Sequence, residues 1–462
     1  MSRPAETESP ARRLTPVVQY ALLAGPLLSM LDSSIVNVAV APIARELHAS
    51  LPVVQWTVSG YLLALGTGLA VTAYLSRKFG TLPLYQASVL AFTVASAACA
   101  AAPNVEFLLL TRIVQGLVAA PLVPMAMSML FGRSEATRSM PVTAGLLLFL
   151  GPALGPTVGG ALIGAVGWRS IFLINIPTGV AAVLAVRRIP PDMAPGPSEN
   201  SSLDLRGLLL LTVGLALLLL GISQGGVVGW ASTESWLPLL VGTALLMTYA
   251  PWAARIDQPA LNLDLARNAA AALALTLCAL ASVVTFAAVF LLPVFIQEVQ
   301  GHSALAAGLA MLPQGLVTGL STVLGQRAVG KVTVRTTVLT GFALLTITSA
   351  GLLAINEQTS LGVTALLLAG RSVSIGLVIS PLLTVLTEPL QEAELNDATT
   401  LFNIWQRIAG SLGVGLIASV FAEQARTHGP VDALHVIAIL ITVVAAVGFA
   451  GSPLLPATRA AS

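Results

Sequence analysis

Charge is scarce in this sequence. Only 9% of its 462 residues are Asp, Glu, Lys or Arg, whereas a soluble domain carries about 25%, so an ordinary water-soluble fold is excluded. Cysteine is scarcer still, since the chain has only Cys99 and Cys278. Both lie inside apolar stretches, which excludes a disulfide framework and a cysteine metal site. The sequence has no His and Cys cluster for a metal ion and no arrangement of nucleophile, base and acid that indicates an enzyme.

Apolar length is abundant instead. Hydrophobic residues make up 56% of the chain, and apolar stretches of about 20 residues, each able to cross roughly 30 Å of hydrocarbon, recur along it. We therefore predict an all-α polytopic membrane protein with about 14 transmembrane helices. The predicted spans are 15–41, 52–76, 82–102, 105–131, 138–165, 168–187, 205–224, 235–253, 269–296, 303–325, 335–355, 360–387, 398–422 and 431–452.

A linker rich in proline and polar residues, PPDMAPGPSENSSLD, follows the sixth predicted span. Two short, basic, glycine-bearing loops, YLSRKFG and GQRAVGK, occupy similar places before and after it, which indicates two six-span blocks. The predicted organisation is a cytoplasmic tail 1–14, a six-helix bundle 15–187, a cytoplasmic linker 188–204, two inserted helices 205–253, a second six-helix bundle 269–452 and a cytoplasmic tail 453–462.

Lysine and arginine predict the orientation, because short loops that carry them stay in the cytoplasm. With both termini inside, most of the 22 Lys and Arg residues fall in cytoplasmic loops. We therefore predict a multi-pass protein of the cell membrane whose basic loops face anionic lipid. The net charge of +2 follows largely from this sorting and does not indicate nucleic-acid binding.

Five stretches carry a family resemblance. They are LDSSIVNVAVAPI (31–43), LLLTRIVQGLVAA (108–120), GPALGPTVGG (151–160), GWRSIFLINIPTG (167–179) and QEVQGHSALAAGLAMLP (297–313). In this order they resemble the major facilitator superfamily, and within it the fourteen-span drug:proton antiporters. The resemblance implies the major facilitator fold, alternating access around a midplane cavity, and export of drug-like or antibiotic-like small molecules. The coupling energy would be the proton motive force, with no cofactor, and one chain is expected to suffice.

The stretch GPALGPTVGG matches the antiporter motif of the fifth span in that family. In lipid a helix tolerates such breakers where neighbouring helices fill in, and glycines four residues apart form a face for close helix approach. One interpretation is ordinary helix packing; the resemblance favours a tight interface that seals one side and permits rocking between the bundles. The motif residues are Gly151, Pro152, Gly155, Pro156, Gly159 and Gly160.

The loop motif YLSRKFG, with Arg77, Lys78 and Gly80, departs from the family pattern. The family places an aspartate where Arg77 stands, and basic residues where Thr81 and Leu82 stand. In the family this acid helps to latch the two halves on the cytoplasmic side, so the latch chemistry differs here.

Ionisable residues at bilayer depth indicate function by default. Asp32 is the one acid that lies deep in a predicted span, about seventeen residues or roughly 26 Å from the inner end, and Arg112 lies roughly 10 Å from the outer end of the fourth span. A direct or water-bridged pair is therefore feasible. We predict that the pair is the proton-coupling site, with Asp32 binding the proton in competition with substrate. The alternative is a structural ion pair that fixes spans one and four.

Arg371 and Arg407 fall mid-membrane in the second half with no accompanying carboxylate. Because arginine keeps its charge, each must reach carbonyls, glutamines, water or an anion. They either join helices or line the cavity and favour a neutral or anionic substrate. The full set of cavity candidates is Asn37, Gln115, Phe149, Phe286, Phe290, Arg371, Asn403, Trp405 and Arg407. For each aromatic residue, packing or lipid contact is the alternative.

Three functions compete on this evidence. An exporter driven by proton entry is favoured by the 151–160 motif. A proton-coupled uptake symporter of the same fold would make that motif coincidental, and a membrane sensor or scaffold would leave Asp32 and Arg112 without a role.

Overall fold

The computed structural model describes residues 16–131, 142–190, 204–256, 259–261, 263–264, 267–388 and 392–457. Every regular element within these ranges is helical, which agrees with the predicted all-α class. Three short 3-10 helices, at Val36–Val38, Gly351–Ala354 and Ser452–Leu454, accompany the α-helices.

Eighteen α-helices follow one another along the described chain. The first ten are α1 (Pro16–Ile35), α2 (Val40–Glu46), α3 (Leu51–Val54), α4 (Trp56–Phe79), α5 (Thr81–Ala100), α6 (Val105–Ala119), α7 (Leu122–Phe131), α8 (Val142–Val166), α9 (Ser170–Leu173) and α10 (Asn175–Val186). The remaining eight are α11 (Leu205–Val228), α12 (Thr233–Ala253), α13 (Ala269–Glu298), α14 (Ala304–Lys331), α15 (Val334–Ala350), α16 (Leu361–Thr387), α17 (Glu392–His428) and α18 (Pro430–Gly451).

Ten helical segments of the described chain are long and apolar enough to cross a membrane. Three shorter apolar helical stretches, Leu154–Val166, Ser170–Val186 and Ala304–Thr318, accompany them. The multi-pass class follows from these lengths, whereas the count of fourteen spans stays a prediction.

The first predicted span is interrupted near its end. α1 stops at Ile35, a 3-10 turn follows, and α2 begins at Val40. Pro42 has no N–H to donate to the Val38 carbonyl four residues earlier, and Gln297 of α13 donates its Nε2 to that carbonyl at 3.0 Å. The break thus supplies a backbone acceptor to a distant helix.

We call the end of the molecule that carries α2 and α3 the α2 end.

The helices pack in two groups. In the first, α1 packs against α7, α8 and α10, while α6 packs against α4 and α5. In the second, α16 packs against α13, α14 and α15, while α18 packs against α13, α15 and α17. Two helix pairs, α8 with α14 and α4 with α17, join the groups, and α11 packs against α12 and α17. The two joining pairs are called the α8–α14 seam and the α4–α17 seam below.

Candidate functional site

A buried ion pair lies inside the first group. Nη1 of Arg112, on α6, is 2.5 Å from Oδ2 of Asp32, on α1, and the two side chains are 1% and 0% exposed. Two opposite charges in contact offset much of the cost of removing each from water. The two residues that the sequence predicted to lie within reach of each other are therefore in direct contact.

Amide donors complete the coordination of the Asp32 carboxylate. Its Oδ1 accepts a hydrogen bond from Gln115 Nε2 at 3.1 Å and another from Asn175 Nδ2 at 2.9 Å. The same two amides donate to Ser96 Oγ, at 2.6 Å and 3.2 Å. Since Ser96 lies on α5 and Asn175 begins α10, residues of four helices meet at this carboxylate.

The Arg112 guanidinium makes two further hydrogen bonds. Its Nε donates to the backbone carbonyl of Thr57, on α4, at 2.9 Å, and its Nη1 donates to Gln115 Oε1 at 2.6 Å. The rings of Tyr61 and Phe172 lie 4.2 Å and 5.6 Å from its Cζ, a range at which a cation is attracted to an aromatic face. The group is therefore enclosed by polar partners and by aromatic carbon.

Sequence reasoning named Asp32, Arg112 and Gln115 but missed Asn175 and Ser96. Asn175 stands inside the stretch GWRSIFLINIPTG, where it is the only amide side chain among apolar neighbours. That isolation was the available signal, because a polar group in an apolar span needs a partner. Ser96 gave none, since hydroxyls of helical serines commonly bond to their own backbone.

Asn37 was predicted to line the cavity, and the structure places it in the 3-10 turn that follows α1. It is buried, and its Nδ2 donates to the carbonyls of Ser33 and Ser34 at 3.3 Å and 3.1 Å. Its hydrogen bonds therefore serve the break between α1 and α2.

α8 runs unbroken through the glycine and proline motif and contacts both groups of helices. Toward α1, a Cβ on Gly155 would overlap Ser34, and one on Gly159 would lie 2.5 Å from Ile35 Cγ1. Toward α14, a Cβ on Gly160 would overlap the Ala304 carbonyl. The motif thus allows two close helix approaches on different faces.

The α8–α14 seam also has a matching glycine on the other side. A Cβ on Gly308 would overlap the carbonyl of Pro156, and Thr157 Oγ1 donates to the Gly308 carbonyl at 2.9 Å. Backbones therefore touch directly, as close helix packing in membranes requires. For Phe149, Gly151 and Pro152, the other predicted residues of this segment, side-chain surroundings lie outside the described part of the chain.

The α4–α17 seam and the α2 end hold further contacts between the groups. Ser411 Oγ donates to the Ser59 carbonyl at 2.8 Å. At the α2 end, Arg45 Nε lies 3.1 Å from Glu298 Oε1, between exposed side chains. Together with the bond from Gln297 to Val38, these contacts hold the two groups together along two seams and at one end.

Arg371 is enclosed within the second group. Its Nη1 donates to Ser349 Oγ of α15 at 3.0 Å, and its Nη2 donates to the Val284 carbonyl of α13. Its side chain is 2% exposed, and its Nε has no hydrogen-bond partner among the described residues. It contacts helices of its own group and reaches neither seam through these bonds.

Arg407 lies at the α4–α17 seam. Its Cβ is 3.4 Å from the position of a Cβ on Gly66 of α4, and its side chain is half-buried. Within the described residues, Arg407 makes no hydrogen bond and no ion pair.

The other predicted cavity residues occupy different settings. Phe290 is fully buried in the core, whereas Phe286 is half-buried and packs against Gly410. Trp405 is half-buried, and its Nε1–H has no acceptor among the described residues. Asn403 donates its Nδ2 to the Thr399 carbonyl at 2.8 Å.

The basic loop motif ends α4. Lys78 Nζ lies 5.5 Å from the ring centres of Tyr74 and of Phe79, and Arg77 is exposed beside it. Gly80 follows with φ of 88°, and its N–H donates to the Ser76 carbonyl at 2.9 Å. A backbone with positive φ favours glycine, so Gly80 terminates the helix.

Membrane-length helices in two joined groups, with a buried carboxylate and guanidinium in one of them, define the class of a multi-pass membrane transporter. Residues 22–414 match the sequence profile of the Major Facilitator Superfamily. The chain belongs to this superfamily.

Individual relatives agree with this assignment. The multidrug resistance protein B homolog of Mycobacterium tuberculosis is 32% identical over 406 residues, which cover 86% of this chain and 74% of that protein. Multidrug export protein EmrB of Escherichia coli is 27% identical over 416 residues, covering 89% and 81%. A crystal structure of a D-xylose-proton symporter superposes with a TM-score of 0.69 at 14% identity, covering 96% of this chain and 99% of that one.

Proposed function

We propose that this protein exports drug-like or antibiotic-like organic compounds across the cell membrane in exchange for protons, by alternating access. The names of the mycobacterial and Escherichia coli relatives support export of such compounds. The 151–160 motif, with its glycines on the α8–α14 seam, supports the antiporter assignment within the family.

The order of the helices supports fourteen passes. If α1 begins in the cytoplasm, α2 and α3 complete the first pass and begin the second, and each later helix or interrupted pair reverses direction, so that α18 returns to the cytoplasm. The passes then form two six-helix bundles with α11 and α12 inserted between them. In this orientation the α2 end faces outward.

The observation that carries the proton role is the Asp32 network. Three donors hold the ionised carboxylate, and one of them, Arg112, keeps its charge at all times. A proton on Asp32 would leave Arg112 as an uncompensated buried charge, which costs about 3–5 kcal/mol. Proton uptake would therefore force α1 or α6 to move.

Such a movement has a short path to the seam between the bundles. Ser34 and Ile35 follow Asp32 on α1 and contact Gly155 and Gly159 of α8. The next glycine of α8, Gly160, contacts α14 of the other bundle. A shift of α1 on protonation would thus be transmitted through α8 to the α8–α14 seam.

A proton-coupled symporter is the second candidate, since the xylose transporter of similar fold is one. The direction of movement distinguishes the two. In everted vesicles with an acidic interior, an antiporter accumulates substrate, whereas a symporter discharges substrate loaded beforehand.

The experiment uses everted vesicles that contain this protein, acidified inside and challenged with cationic, neutral and anionic antibiotics. We expect some compounds to release protons and to accumulate, and Asp32→Asn to abolish the release. Glu423→Gln, which removes an acid at the far end of α17, is the matched control and should behave as wild type. Discharge of substrate would favour the symporter, and undiminished proton release in Asp32→Asn would overturn the role of Asp32.

A further inference from the structure

The buried charges of the two bundles do not balance. In the first bundle Asp32 neutralises Arg112. In the second, Arg371 and Arg407 lie within membrane-length helices, and no ion pair with either is found among the described residues. Because a guanidinium cannot lose its proton, the described residues inside the second bundle carry a positive charge that none of their ion pairs neutralises.

The two arginines differ in what they can reach. Arg371 is enclosed and bonded to Ser349 and Val284, so it contributes to the local potential without offering a contact surface. Arg407 is half-buried and retains all its donors, with no hydrogen bond within the described residues. Five N–H donors that remain free at bilayer depth are costly unless water or an anion satisfies them.

The position of Arg407 on α17 aims it at the other bundle. Asn403, Arg407 and Ser411 are spaced four residues apart, so they share one face of the helix. Ser411 on this face bonds to Ser59 of α4, and Arg407 itself packs over Gly66 of α4. The Cβ of Arg407 therefore lies at the contact between the bundles, where alternating access would expose the side chain to either side.

The helix against which Arg407 packs, α4, also carries the ring that covers the proposed proton site. Tyr61 lies with its ring 4.2 Å from Arg112 Cζ, on the same helix as Gly66, against which Arg407 packs. α4 thus contacts both the neutralised guanidinium of Arg112 and the side chain of Arg407. A negative charge bound by Arg407 would be close to the Asp32 and Arg112 pair.

We propose that Arg407 binds the negatively charged group of an anionic apolar substrate, such as an aromatic carboxylate, at the α4–α17 seam. This inference rests on the proposed function in taking the ligand to be the exported compound. It predicts that the protein discriminates by charge, because a cation at this position would be repelled by Arg407, which has no anionic partner among the described residues.

The test measures binding by purified protein, without a gradient. Three probes share one ring system and differ in charge: 2-naphthoate, 2-naphthamide and 2-naphthylmethylammonium. Ligand binding raises the unfolding temperature in proportion to ln(1 + [L]/Kd), so titration gives each affinity. We expect naphthoate to bind most tightly and Arg407→Gln to weaken it about tenfold, as expected for one lost charge-assisted hydrogen bond.

Two further variants make the result specific. Arg407→Lys keeps the charge and should retain most of the affinity, and Arg426→Gln removes an exposed arginine from the same helix and should retain all of it. Preference for the cation, absence of stabilisation by naphthoate, or wild-type affinity in Arg407→Gln would overturn the inference. Anion binding without proton release in vesicles would overturn only the antiport, whereas proton-coupled export of cations alone would overturn only this inference.

Discussion

Arg112 and Arg371 are two buried guanidinium groups in two bundles, and the chain satisfies them differently. Arg112 has a carboxylate, a carbonyl and an amide oxygen as acceptors. Arg371 has a hydroxyl and a carbonyl, and its Nε has no partner among the described residues. Among the described residues, only the first arrangement contains a carboxylate, so the proposed proton site belongs to the first bundle and the second bundle has a buried cation without an ion pair.

The helices that carry these arginines are otherwise alike. In each, three leucines shortly precede the arginine and a glycine follows it within five residues, at Gly116 and Gly376. A Cβ on Gly116 would lie 2.6 Å from the Tyr61 carbonyl of α4, and one on Gly376 would overlap Ser321 of α14. The two sites therefore share a packing scheme, and within the described residues they differ in whether a carboxylate faces the arginine.

Among variants that test the difference between Arg112 and Arg371, the largest loss of stability is expected for Asp32→Ala. It leaves Arg112 buried without a counter-charge, which costs about 3–5 kcal/mol in stability. Unfolding in mixed micelles would measure the loss. The double variant Asp32→Ala/Arg112→Met should recover most of it, and a double variant no more stable than the single one would contradict the pairing.

Asn175→Ala is expected to have the next largest effect. It removes a fully buried donor to the Asp32 carboxylate, and a hydrogen bond to a charged group contributes about 1.5–3 kcal/mol. The measurement is the same unfolding midpoint, with Thr178→Ala, at an exposed position of α10, as the control. If both variants unfold alike, Asn175 has no part in holding the carboxylate.

The sequence predicted the charged residues of the site but not most of the polar residues that hydrogen-bond around them. Asp32 and Arg112 were found because charges in apolar spans are few. Their estimated depths in spans one and four predicted that the two side chains lie at a similar level of the bilayer. Asn175 and Ser96 meet Asp32 only through the mutual rotation of α1, α5 and α10, which a single sequence does not specify. For the same reason the sequence could not predict that Arg371 faces its own bundle whereas Arg407 faces a seam.

The fold shows a similar division. The helical class and the multi-pass character follow from composition and apolar length. The break after Ile35 could not be predicted from the sequence. Pro42 alone does not indicate it, because a proline in a span can either bend a helix or end it. The role of the freed Val38 carbonyl depends on Gln297, 259 residues away in sequence.

Gly160→Ala tests the contact between the bundles. Its Cβ would meet the backbone of Ala304 and Leu305, and overpacking of this kind costs about 1–3 kcal/mol. Gly164→Ala lies one turn further along α8, where a Cβ meets no described atom within 4 Å, so it should be neutral or slightly stabilising. Equal unfolding temperatures for the two variants would contradict the close approach at the α8–α14 seam.

The smallest effect on stability is expected for Arg371→Met, which tests most directly whether Arg112 and Arg371 differ in having a counter-charge. Arg371→Met removes a buried cation that has no counter-charge among the described residues, and it leaves behind the hydroxyl of Ser349 and the carbonyl of Val284. Since replacing a buried charge by an apolar side chain of similar length can be neutral or stabilising, we expect stability to change by no more than about 1 kcal/mol. A loss as large as that of Asp32→Ala would mean that Arg371 does have an anionic partner, and the two bundles would then be alike in charge as well as in packing.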